Sequence, residues 1–127
     1  MSTINAIDLE LKRAFTDMQV NKIETTKKLK MLDIQAEMLK TSKKKYEITD
    51  KEVKNLTPDT RVYSSVGRMF VLSSLPEVHT ELLSKQGKCD DILKSLDDKK
   101  EFLLKCSKEQ EDSLRELVQQ RKEATSN

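Results

Sequence analysis

The sequence predicts a mainly α-helical protein, in which two long helices fold back on each other as an antiparallel coiled coil and are joined by a short helix and one central β-hairpin. Three observations predict it. Apolar residues return every seven positions through long stretches of both halves. The two glycines and two prolines all stand at or after position 58, which leaves the first half without a helix breaker. Between the halves, Arg61 to Ser74 gathers β-branched and aromatic residues around Gly67, the pattern of strand, tight turn, strand.

A chain of 127 residues predicts one domain, yet 36% charged residues, 4% aromatics and no tryptophan are too polar for an ordinary compact core. The core is therefore expected to be thin. Regular spacing of the apolar residues favours long helices over disorder. The formal net charge of +2 arises from 24 basic and 22 acidic residues that are intermixed, a balance that points to neither nucleic acid nor a membrane surface. Charges from Asp8 onward and the lack of a long apolar run argue against a signal peptide or a membrane span, so a cytoplasmic location is expected. Cys89 and Cys106 lack metal-ligand spacing and companion ligands, and read as reduced thiols at buried helix positions.

The first helix is expected over residues 1–47. Ile4, Leu11, Met18, Thr25, Leu32, Leu39 and Tyr46 form its seam, with Ile7, Ala14, Phe15, Leu29 and Ala36 in the intervening turns. The intervening set drifts by one position, as a 3.6-residue helix must when it follows a 3.5-residue repeat. Thr25 makes the seam polar midway, a device that fixes register at a cost in stability. Lys43, Lys44 and Lys45 read as a solvated face near a helix C-terminus.

Thr49-Asp50-Lys51-Glu52 has the form of a capping box, so a short helix is expected over residues 49–56, stopped by Pro58. Thr57-Pro58-Asp59-Thr60 reads as a turn into a hairpin at 61–73. Alternation puts Val62, Ser64 and Val66 on one face of the first strand and Tyr63 and Ser65 on the other. The second strand, Met69 to Leu72, is apolar on both faces. A lone two-stranded hairpin is marginal in water, so this one needs further strands.

Ser74-Leu75-Pro76-Glu77 is a second capping box, and Pro76 is tolerated because it falls in the first helical turn. A second long helix is expected over residues 75–123. Its seam is Leu75, Leu82, Cys89, Leu96, Leu103, Gln110 and Leu117, with Val78, Ile92, Leu93, Cys106 and Leu114 between. Folding two seams of equal length back to back pairs Tyr46 with Leu75 and Ile4 with Leu117, and both chain termini share the free end.

Catalytic chemistry is absent from the sequence. His79 stands beside Glu77 and Glu81 and reads as a surface histidine. Asp90-Asp91 and Asp97-Asp98 are adjacent on a helix, so the members of each pair diverge. No glycine-rich phosphate loop, GxSxG or HExxH occurs, so no enzyme, metal or cofactor is expected. No aromatic-basic platform suits nucleic acid.

The block Val62-Tyr63-Ser64-Ser65-Val66-Gly67-Arg68-Met69-Phe70-Val71, followed by Leu75 to Lys85 and set between two long helices, resembles the β class of prefoldin subunits. The single hairpin belongs to the resemblance, since α-class members carry two. The resemblance implies a heterohexamer of α-class and β-class subunits whose hairpins close into an intersubunit β-barrel, with the coiled coils hanging from it. It further implies a non-catalytic, ATP-independent chaperone without cofactors. Such a chaperone captures unfolded or nascent chains, actin and tubulin among them, and passes them to the cytosolic group II chaperonin.

Assembly is then expected of Val62, Tyr63, Val66, Met69, Phe70, Val71 and Leu72. At the end carrying the termini, Ile4, Ile7, Leu9, Leu11, Leu114, Leu117 and Val118 outnumber what a two-helix seam can cover, and Leu9 and Val118 lie off the seam. Exposed apolar area there can hold non-native chains at about 25 cal/mol per Å², with several arms adding by avidity. The same residues also read as the last turns of the seam. The alternative function is a structural coiled-coil adaptor that oligomerises through its hairpin.

Overall fold

The structure is a computed structural model that describes residues 2–126. Its elements are α1 (Ser2–Lys54), β1 (Val62–Val66), β2 (Met69–Ser73) and α2 (Leu75–Ser126).

The expected break after residue 47 does not occur, because α1 is one helix of 53 residues. The side chains that looked like a capping box are occupied otherwise. The Thr49 hydroxyl donates to the carbonyl of Lys45 at 2.7 Å, the back-bond of a threonine inside a helix. Asp50 faces His79 instead of capping amides. No glycine or proline interrupts Tyr46 to Lys54, so the helix continues until Pro58 approaches. Its end tightens as the amides of Asn55 and Leu56 donate to the carbonyls of Glu52 and Val53, each at 3.2 Å. Lys51 and Lys54 complement the negative end of the helix dipole.

The turn at 57–60 forms as expected, with the Thr60 amide donating to Thr57 O at 3.0 Å and their hydroxyls 2.7 Å apart. The second capping box is realised in both directions: the Glu77 amide donates to Ser74 Oγ at 3.3 Å, and the Ser74 amide to Glu77 Oε2 at 3.5 Å. From there α2 runs through Gly87 without interruption.

Packing divides the chain into two compact units, Ile34–Leu96 and Met1–Asp33 with Asp97–Asn127. In the Ile34–Leu96 unit, Lys43 pairs with Asp90 at 2.6 Å and Asp50 with His79 at 2.5 Å, so the helices run antiparallel. The same holds in the other unit, where Asp8 pairs with Arg121, Lys22 with Glu111 at 3.5 Å and Asp33 with Lys100 at 3.1 Å. The pairs other than Asp50–His79 are largely solvated, so they report the register more than they stabilise it.

The register differs from the expected one. Tyr46 lies under Lys85, whose Nζ is 5.6 Å from the ring centroid, and does not face Leu75. The unbroken α1 extends to Lys54, which moves every partner on α2 further along the chain. The pairing of Ile4 with Leu117 is replaced as well: Leu117 lines a cleft with Glu10 and Leu11, and the side chains of Ile4 and Ile7 lie outside the described residues.

The seam itself is where the sequence put it. Among the described residues, Leu82, Cys89, Leu96 and Leu114 are the buried apolar ones, and Leu11, Met18, Thr25, Leu32, Leu39 and Tyr46 are half-buried opposite. No described side chain is wholly enclosed, as a two-helix seam dictates. Three expected seam residues are exposed instead: Phe15, Ile92 and Cys106. At the first, the seam takes the small Ala14, and Phe15 stands one residue, about 100°, further round. On α2 the second column runs through Leu93, Lys100, Ser107 and Leu114, so Ile92 and Cys106 fall one position outside it.

Candidate functional site: an unpaired apolar hairpin

β1 and β2 pair antiparallel, with Val62 opposite Ser73, Tyr63 opposite Leu72, Ser64 opposite Val71, Ser65 opposite Phe70 and Val66 opposite Met69. Gly67 makes the reversal possible. Its φ of 63° is followed by Arg68 at negative φ, the arrangement a type II′ turn requires and one whose twist suits a two-residue hairpin.

One face of the ribbon carries Val62, Ser64, Val66, Met69, Val71 and Ser73. Of these, Val62, Ser64 and Ser73 are half-buried, and the hydroxyls of Ser64 and Ser73 lie 3.0 Å apart. The other face carries Tyr63, Ser65, Phe70 and Leu72, all exposed. Phe70 is 74% exposed, Met69 67% and Leu72 62%. Six of the seven residues expected to serve assembly are thus at the surface, and Val62 alone is partly covered. Among the described residues the sheet contains only these two strands, so the outer edge of each presents unpaired N–H and C=O groups. Fully burying one such Val, Leu, Phe or Met side chain yields about 2 kcal/mol, more than a marginal hairpin has to spare.

The helix ends that flank the ribbon in the chain are tied together. Asp50, 7% exposed, receives the Nδ1–H of His79 at Oδ1 and has Lys54 Nζ 3.6 Å from Oδ2. The hydrogen bond from His79, with charge from Lys54, holds the Asp50 carboxyl below the usual carboxylate range, although burial opposes this. This corrects the reading of His79 as a surface histidine: it is half-buried and ties the last turns of α1 to the first turns of α2. Nothing in the sequence announced the pair, because its register depends on α1 continuing past Tyr46. Lys43 also departs from a solvated face, since Asp90 holds its ammonium above the ordinary lysine range.

The residues expected to meet unfolded chains divide. Leu9 is exposed, Leu11, Leu117 and Val118 are half-buried, and Ile4 and Ile7 fall outside the described side chains. Leu114 is buried, so it belongs to the seam and offers no surface. Leu11 and Leu117 line a cleft of about 190 Å³ together with Glu10, Gln120, Arg121 and Ala124.

No helix among the described residues is long and apolar enough to cross a membrane.

Comparison with known proteins adds independent findings. The sequence model of the family described as "Prefoldin subunit" matches residues 16–121. The chain is 43% identical over 116 residues to "Prefoldin subunit 1" of Homo sapiens, covering 91% of this chain and 95% of that protein. With "Prefoldin subunit 1" of Arabidopsis thaliana it shares 34% identity over 113 residues, 89% of this chain and 88% of that one. The crystal structure of the prefoldin beta subunit from Thermococcus strain KS-1 superposes with a TM-score of 0.68 at 17% identity, over 84% of this chain and 90% of that one, and so speaks for the fold.

Proposed function

Since this chain belongs to the prefoldin family, as a chaperone subunit whose partners are other prefoldin subunits, we propose that it works within a heterohexamer without catalysing a reaction. There it captures unfolded or nascent polypeptides, actin and tubulin among them, and passes them to the cytosolic group II chaperonin without ATP. Val62, Tyr63, Val66, Met69, Phe70, Val71 and Leu72 join the hairpin to those of α-class and β-class neighbours. Leu9, with Leu11, Leu117 and Val118 beside it, contributes apolar area for clients.

One observation supports this reading most directly: a ribbon exposed on one whole face, apolar on both faces of β2 and open at both edges. The face of Tyr63, Ser65, Phe70 and Leu72 is left uncovered by the rest of the chain, and monomers seldom expose such a surface without a partner.

Reconstitution tests it. Mixed with α-class subunits, the chain is expected to form one hexameric species that slows aggregation of chemically denatured actin. A discrete homodimer that leaves aggregation unchanged would support a structural adaptor instead.

A further inference from the structure

The face of α1 turned away from the seam carries a second pattern, which neither the hairpin nor the seam uses. Between residues 9 and 31, Leu9, Val20, Ile23 and Met31 are all exposed. Steps of three or four residues connect them through Lys12 or Arg13, Thr16 and Lys27, so they lie in one strip along the helix. The seam residues Leu11, Met18, Thr25 and Leu32 lie on the opposite side and are half-buried.

The strip is basic as well as apolar. Lys12, Arg13, Lys27 and Lys30 stand within it, exposed, and make no ion pair among the described residues. Asp17 and Glu24, three and four residues from Val20, border the strip on one side. With Glu10 they form a column at seven-residue spacing along that flank, which Met31 continues. On the other flank a depression of about 610 Å³ is lined by Gln19, Lys22, Ile23, Thr26, Lys27 and Lys30.

We infer that this strip is a docking surface for an acidic amphipathic helix of another protein. The helix lays its apolar stripe on Val20, Ile23 and Met31 and sets its carboxylates against Lys12, Lys27 and Lys30. The acidic column repels carboxylates from the opposite flank, so the partner is received in one rotational setting. A second copy of the same strip is disfavoured, because face-to-face packing sets the basic residues of one strip largely against those of the other. An anionic lipid surface is disfavoured by the acidic column and because the strip holds no aromatic anchor of the kind interfacial helices use, the exposed Phe15 standing on a different face of α1.

The test uses the full chain assembled with its partner subunits and a fluorescein-labelled synthetic peptide of about three heptads, with leucine at its seam positions and glutamate beside them. Fluorescence anisotropy should show saturable binding that weakens as salt is raised. Lys27→Glu combined with Lys30→Glu should weaken that peptide by about tenfold and strengthen a lysine-substituted peptide of the same apolar pattern, with assembly and helicity unchanged. The proposal is overturned if the two peptides bind the unmodified assembly equally. It is equally overturned if the double variant changes nothing, or if vesicles of equal parts phosphatidylcholine and phosphatidylserine bind through these lysines while the acidic peptide does not.

Discussion

Nδ1 of His79 lies 2.5 Å from Oδ1 of Asp50, so the last turns of the helix that precedes the hairpin are tied to the first turns of the helix that follows it. The lowered pKa of Asp50 fixes the sign of its pH dependence. A carboxylate favoured by the fold stabilises it fully above the ordinary carboxylate value, near pH 4, and the contribution fades as pH falls through the lower folded-state value. Asp50→Asn is expected to lower the melting temperature by several degrees at neutral pH. The gap from the unmodified chain should close at strongly acidic pH in circular-dichroism melts; a gap that persisted there would argue against the carboxylate as its source.

Phe70 is 74% exposed, so its replacement removes almost no packing within the chain. Phe70→Asp should leave helicity intact while abolishing co-elution with α-class subunits, because it sets a charge where a neighbouring strand must cover an apolar face. Size-exclusion chromatography of co-expressed subunits reads the result. Normal co-elution would remove the hairpin from assembly.

Two large side chains on α2 should respond in opposite ways. Leu96 is 7% exposed in the seam, and Leu96→Ala should cost about 2–3 kcal/mol, the lower part of the range for buried leucines, because a two-helix layer encloses it incompletely. Phe102 is 66% exposed, and Phe102→Ala should change stability by no more than about 0.5 kcal/mol. Urea titrations of both variants decide it.

The thiols offer a chemical check on the seam. Cys106 is exposed and Cys89 buried, so under native conditions a thiol reagent should modify Cys106 promptly and Cys89 more slowly by on the order of a hundredfold, limited by local opening. Equal rates would place Cys89 outside the seam.

Much of this architecture could be read directly from the residues. Leu82, Cys89 and Leu96 declare their burial by spacing alone, and Gly67 declares the turn by being the one residue there free to adopt positive φ. Two similar four-residue patterns behaved differently, and the reason is tertiary. Ser74 and Glu77 cap a helix because the chain before them is strand, whereas Thr49 and Asp50 sit in a sequence with nothing to end the preceding helix. The resulting extension of α1 shifted the register, and with it every contact that depends on register: Tyr46 with Lys85, Lys43 with Asp90, Asp50 with His79. Lys43, Asp50, Lys100 and Arg121 were illegible as seam residues because a charged side chain enters a seam only when its partner is known. The exposed apolar hairpin was legible, since a lone two-stranded ribbon that is apolar on both faces of Met69 to Leu72 is marginal in water without further strands.

The lack of any wholly enclosed side chain among the described residues has a mechanical consequence. Cohesion in this protein is shared among successive rungs, each leaning on the next, with no central knot whose loss undoes everything. In the unit bearing both termini, the outermost rungs can part and rejoin at small cost while inner rungs hold. Hydrogen exchange should therefore register a gradient of protection along each helix in place of a single threshold.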